Sequence, residues 1–160
     1  MAVKSIPEGY HSVTPYLIVK EAAKAIDYYK NAFGATEIMR MPTPDGKIAH
    51  AEINIGDSHV MLADEQPERG YRSPLSLGGA GVSLMIYVDG VDDVFKRAVT
   101  GGGKELQAVQ NQFYGDRSGT LQDPFGHTWT ISTHVEDVPP EEMGRRAEEF
   151  MKKQKQKQKQ

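Results

Sequence analysis

Residues 112–137, QFYGDRSGTLQDPFGHTWTISTHVED, carry the pattern that decides the fold. Two β-prone runs, 117–122 and 128–132, flank Asp123-Pro124-Phe125-Gly126, whose residue types suit a tight turn. The stretch reads as a hairpin. It also concentrates groups able to do chemistry or hold a ligand: Tyr114, Asp116, Arg117, His127, Trp129, Thr130, His134, Glu136 and Asp137. A purely structural hairpin needs far fewer.

Working outward, residues 82–88 are apolar and β-prone. Val91, Val94, Phe95, Ala98 and Val99 then form a helical stripe with Asp89 as the expected N-cap, ended by Gly101-Gly102-Gly103. A strand at 105–109 completes the order β, α, β, β, β. The first half repeats it: a strand at 13–19, a helix at 21–33 with Ala22, Ile26, Tyr29 and Phe33 on one stripe and Gly34 as its stop, then strands at 36–41, 48–55 and 59–63. Shifting the chain by 68 or 69 residues lays Val19 on Val88, Ala22 on Val91, Ile26 on Phe95, Gly34 on Gly103 and His59 on His127. Neither half alone buries enough apolar surface to be stable, so the two must fuse.

Residues 1–138 are therefore expected to form one domain, with module one at about 12–63, a linker or mobile loop at 64–81, and module two at about 82–134. Residues 139–160 read as a C-terminal helix opened by Pro139 and Pro140, then a disordered Lys/Gln tail. With 160 residues, 38% apolar and 26% charged, the chain suits a soluble globular protein. A formal charge of -3 supplies no attraction to nucleic acid or anionic lipid. The absence of cysteine excludes disulfides, thiolate nucleophiles and Cys-based zinc sites. No apolar run approaches the roughly 20 residues of a membrane span, and the first residues lack a signal-peptide core, so a cytoplasmic location is expected.

The segments TPYLIV (14–19), AIDYYKNAFGA (25–35), GKIAHAEINIGDSHVMLAD (46–64), QFYGDRSGTLQDPFGH (112–127) and THVEDV (133–138) resemble the vicinal-oxygen-chelate superfamily of glyoxalases, bleomycin- and fosfomycin-resistance proteins and extradiol dioxygenases. The pairing of YGDRSG with DPFGH is similar to its PhnB-like branch. This resemblance implies an α+β, glyoxalase/bleomycin resistance/dioxygenase fold in which two βαβββ modules form a curved mixed sheet around a small-molecule cup, often within a homodimer. In metal-dependent relatives the first and last strands of each module supply His and carboxylate ligands. The resemblance places those positions at Thr14, at Met61 or Leu62, at Ser83 and at Thr130, none of which suits a divalent first-row ion. No cofactor and no metal ligand is predicted on the inherited positions; a rearranged divalent-metal site is the alternative.

His50 and Glu52 lie two apart on one strand and face one side, as catalytic or chelating candidates or as a simple hydrogen-bonded pair. His127 is the third catalytic candidate, a general base or a turn stabiliser. Tyr114, Arg117, Trp129 and Thr130 are the ligand-binding candidates: Arg117 to clamp an anion or carbonyl unless it pairs internally, Trp129 to stack on a flat ligand unless it is core. The cluster His134, Glu136 and Asp137 supplies polar capping or a cation site. The expected function is small-molecule binding in the cup without the superfamily metal. A lyase or dioxygenase-type enzyme with a rearranged site and a non-catalytic interaction protein are the alternatives.

Overall fold

The computed structural model describes residues 3–158. Strand β1 (Tyr16–Val19), helix α1 (Ala22–Phe33) and strands β2 (Thr36–Pro42), β3 (Ile48–Ile55) and β4 (Ser58–Asp64) make the first module. Strand β5 (Ser83–Tyr87), helix α3 (Val91–Thr100) and strands β6 (Lys104–Asn111), β7 (Asp116–Gln122) and β8 (Thr128–His134) make the second. A 3-10 turn (Pro67–Arg69) and short helix α2 (Pro74–Leu77) lie between them, and helix α4 (Pro140–Lys157) follows. The modules form two four-stranded mixed sheets ordered β1-β4-β3-β2 and β5-β8-β7-β6. The duplicated βαβββ order read from the sequence is present.

Helix α1 forms because Ala22, Ala25, Ile26, Tyr29, Ala32 and Phe33 fall on one buried stripe. Gly34 ends it in the left-handed conformation, at φ 68, which a residue with a Cβ rarely adopts. In α3 the buried stripe is Val91, Val94, Phe95 and Ala98. Alternation along the strands sends Ala51, Ile53 and Ile55 of β3, Val60 and Leu62 of β4, and Trp129 and Ile131 of β8 under these helices. The core is thus a layer between helices and sheets, and each sheet keeps a second face free of helix.

The helix starts are capped from a distance. Asp64, at the end of β4 and 8% exposed, accepts the Ala22 N–H at 2.9 Å and the Ile48 N–H at 2.8 Å. In module two Thr133 takes the same place, its Oγ1 accepting the Val91 N–H at 3.1 Å and donating to the Val88 carbonyl at 2.7 Å. Asp89, the expected local cap, makes no such bond, because the last strand of the module already supplies the acceptor. Each helix is therefore tied to the far end of its own sheet.

The modules are joined through their helix layers, α1 against α3. Asp123, 4% exposed, organises the seam. Its Oδ1 accepts the Phe125 and His127 N–H groups, both at 2.9 Å, which closes the Asp-Pro-Phe-Gly turn. Its Oδ2 accepts the Trp129 Nε1–H at 2.8 Å and the hydroxyl of Tyr29, from the other module, at 2.6 Å. Burial and Asp123 together hold the Tyr29 phenol well above its usual pKa, so it stays a donor. Tyr29 and Phe33 pack tilted against the Trp129 ring beside this bond, and Tyr28 donates to the Ala98 carbonyl at 2.9 Å.

Two expectations need correction. The segment at 64–81 is an ordered clasp, because Glu65 accepts the Ser73 N–H at 2.8 Å and the Ser76 hydroxyl at 2.9 Å, and Gln66 and Tyr71 pair their backbones at 2.8 and 3.1 Å. The helix at 140 continues through the Lys/Gln repeat to Lys157, since that repeat contains good helix formers and no breaker; the last two residues of the expected disordered tail lie outside the described residues. Phe150 of α4 sits 5.1 Å from Phe113, and Arg146 pairs with Glu136 at 2.8 Å, which ties α4 to module two.

Asp123→Ala is expected to lower stability by about 3 kcal/mol, because it orphans buried donors in both modules, whereas Tyr29→Phe should cost about 1 kcal/mol. Urea titration of both variants checks this, and equal midpoints for Asp123→Ala and the parent would refute the role of the seam.

Candidate functional site

The helix-free face of module one is set by strand register. Tyr16, Met61, Glu52 and Met39 stand in one row across the sheet, with Met41 opposite His50 in the next. Tyr16, Met39 and Met41 are 48%, 36% and 52% exposed, a density of uncovered apolar side chains typical of a surface meant to meet something. Polar groups on this face are linked in a chain. The Tyr16 hydroxyl lies 2.8 Å from His50 Nδ1, His50 Nε2 lies 3.0 Å from Glu52 Oε1, and the Tyr10 hydroxyl donates to Glu52 Oε2.

Hydrogen bonds from Tyr10 and then His50 hold the Glu52 carboxyl below its usual pKa. Glu52 is therefore an acceptor, His50 Nε2 carries the proton, and Nδ1 accepts from Tyr16. Tyr10 also stacks on His59, ring centroids 4.2 Å apart, so the N-terminal segment lies across this face. Gly9 is required there: at φ +82 an added Cβ would come within 2.7 Å of the His59 ring.

The matching rows of module two are Met85, Thr130, Thr120 and Gln107, then Tyr87, Ser132, Ser118 and Gln110. Thr120 and Thr130 join their hydroxyls at 3.0 Å. Asp116, 3% exposed, anchors a second network. Its Oδ2 accepts from Tyr87 at 2.9 Å and Ser132 at 3.2 Å, its Oδ1 meets His134 Nδ1 at 2.8 Å, and His134 Nε2 meets Asp137 at 2.9 Å. Burial pushes the Asp116 carboxyl up, but the bonds from His134, Tyr87 and Ser132 outweigh it and leave it lowered. Asp137 and then Asp116 raise His134.

His50, Glu52 and Thr130 thus lie on helix-free faces, and Tyr114 lies at the rim of the second, in the turn before β7. The other candidates lie elsewhere. Arg117 points to the helix side and is held by Asp92 of α3 at 2.7 and 2.8 Å. Trp129 is 1% exposed in the core. His127 donates to the Ile18 carbonyl at 3.1 Å, at the seam between modules. The strand registers set His59 level with Thr128, one place off His127, so the two imidazoles occupy opposite faces. Tyr10, Tyr16, Met39, Met41, Met85 and Tyr87 are the face residues not singled out from sequence; strand parity alone singles out Tyr16 once β1 is fixed.

On the helix-free faces the paired first and last strands present Tyr16 and Met61 in module one and Met85 and Thr130 in module two. Phenol, thioether and hydroxyl groups do not fit a divalent first-row ion. His50 and Glu52 add two donors, flanked by the Tyr10 and Tyr16 hydroxyls. Among the described residues no group of three or more His, Asp or Glu side chains is placed to hold a metal, and no helix is long and apolar enough to cross a membrane.

Paired βαβββ modules with helices on one side and polar, aromatic faces on the other define a class. The chain matches the model of the Glyoxalase/Bleomycin resistance protein/Dioxygenase superfamily over residues 9–131 and belongs to that superfamily. It is 42% identical over 135 residues to the uncharacterised protein Rv0887c of Mycobacterium tuberculosis, covering 82% of this chain and 79% of that one. The solved structure of PA1353 from Pseudomonas aeruginosa aligns at a TM-score of 0.64 and 23% identity, covering 79% of this chain and 99% of that one. The PhnB protein from Bacillus cereus aligns at 0.62 and 18% identity, covering 77% and 99%. The superfamily resemblance read from the sequence stands.

The Asp116–His134 pair generates a pH dependence. A raised His134 contributes stability that is complete below its unfolded pKa of about 6.5 and lost as pH rises through the folded value. A lowered Asp116 contributes above its unfolded value of about 3.9 and loses this as pH falls. Thermal melts of His134→Gln should therefore fall furthest below the parent between about pH 4 and 6.5 and converge with it in alkali; a constant offset across pH would show that the pair does not titrate as described.

Proposed function

We propose that the chain is a PhnB-like small-molecule-binding protein that holds its ligand on the helix-free faces by hydrogen bonds and aromatic and thioether contacts, without a bound metal. The observation that carries this reading is that the first and last strands present no imidazole or carboxylate on the helix-free faces, only Tyr16 with Met61 and Met85 with Thr130, just as Thr14, Met61 or Leu62, Ser83 and Thr130, where the resemblance puts a chelating relative's ligands, include none. Methionine and tyrosine suit an adaptable pocket for a partly aromatic molecule.

A second copy of the chain completes the cup. Within one chain the modules are joined back to back, while a cleft of about 920 Å³ runs beside edge strand β5 and opens on Met85 and Tyr87. These side chains are 45% and 62% exposed, and an uncovered edge with apolar groups is a docking surface. A partner's module placed there would bring two helix-free faces together.

The chain Tyr16–His50–Glu52–Tyr10 favours a second reading, a metal-independent proton-transfer enzyme. A carboxylate-oriented imidazole backing a hydroxyl is an arrangement that general acid–base chemistry uses. In that reading Tyr16 meets the substrate and His50, held by Glu52, receives its proton.

Elemental analysis of purified protein is expected to find far less than one divalent ion per chain, and a chelator should leave the melting temperature unchanged. Light scattering after gel filtration should show a dimer that Met85→Asp converts to monomer. A stoichiometric ion lost in Thr130→Ala, or a monomeric parent, would overturn the corresponding half of the proposal. Turnover of any carbonyl substrate that His50→Ala abolishes would favour the enzyme reading.

A further inference from the structure

The clasp at 65–73 leans over one end of the module-one face and encloses a pocket of about 280 Å³. Ile18 and Ala63 form its floor, the Tyr16 and Tyr71 rings its walls, and Arg69 with Gln66 its rim. At that volume it suits a compact ligand rather than a drug-sized one.

Arg69 stands without a carboxylate partner among the described residues, its side chain bonded to neutral Gln66 Oε1 at 3.1 Å. That bond aims the guanidinium and leaves its remaining N–H groups free. The clasp itself is rigid: Gln66 and Tyr71 exchange two backbone hydrogen bonds, Gly70 turns the chain at φ 83, and Glu65 pins the next segment through Ser73 and Ser76. Burial and then Tyr71 raise the Tyr16 phenol, so it remains protonated, with its one O–H given to His50 Nδ1 and its ring left as pocket wall. Asp64 also borders the pocket, but both of its oxygens are taken by the Ala22 and Ile48 N–H groups.

We propose that this pocket binds a compact organic oxoanion, its charge met by Arg69, its oxygens by the Arg69 N–H groups and the Tyr71 hydroxyl, and its apolar body by the Tyr16 ring, Ile18 and Ala63. The assignment rests on the small-molecule reading above and adds the ligand's charge to it. An arginine and a phenol together recognise oxygen charge while leaving the apolar remainder free to vary.

Calorimetric titration of the full-length protein with benzoate, phenylphosphonate and neutral benzamide tests this. Benzoate or phenylphosphonate is expected to bind in the millimolar range or tighter, whichever binds identifying the oxoanion, and benzamide at least about tenfold more weakly. Arg69→Gln should weaken the anion at least about tenfold, while Arg72→Gln, on the same clasp but outside the pocket lining, changes it by less than about twofold. Benzamide binding as tightly as benzoate, or an unaffected Arg69→Gln, would overturn the anion assignment and leave small-molecule binding standing. If none of the three probes binds, the anion pocket is refuted and the broader reading loses its support at this face.

Discussion

The buried carboxylate of Asp123 is the constraint on which the molecule depends. A charge taken out of water is costly unless every lone pair is used. Here two backbone N–H groups, an indole and a phenol use them, and the phenol belongs to the other module. The same four atoms of contact thus shape a turn, orient the only tryptophan and fix one half of the chain against the other. Because the donors are buried with the acceptor, the geometry is all or nothing: a displaced module would strand several of them at once.

Joining the modules at their backs leaves both helix-free faces uncommitted. Two polar networks of similar layout, one on Glu52 and one on Asp116, accordingly stand on faces that no packed helix of their own module covers. Their chemistry has diverged. Module one sets an imidazole between a carboxylate and a phenol, with thioethers around it; module two sets an imidazole between two carboxylates, with hydroxyls around it. Among the described residues neither brings three metal-ligating side chains together to hold an ion; a hydrogen-bonded imidazole–carboxylate pair is the property the two faces share.

The fold was legible because its signals are local and periodic. Ala22, Ile26, Tyr29 and Phe33 announce a helix, Gly34 its end, and Asp-Pro-Phe-Gly a turn, whatever surrounds them. Half of the site was legible for the same reason, since His50 and Glu52 share a strand face by spacing alone. The misplaced residues turn on parity: Arg117 sits one place off the face of Ser118, and His127 one place off that of Thr128, and a slip of one residue along a strand exchanges inside for outside. Tyr10, Arg69 and Tyr71 reach module one's face from segments without periodicity. Asp64 and Thr133 cap helices some forty residues upstream, a pairing that only the closed sheet reveals.

Those two caps bear on how the chain comes together during synthesis. When the first forty or so residues leave the ribosome, the start of α1 has no acceptor, and it gains one only once Asp64 has emerged and its strand has docked beside β1. Each half must consequently close as one event in which its last residues lock its first. Too small to hold that closure alone, the nascent amino-terminal half keeps it only once Asp123 arrives to receive Tyr29.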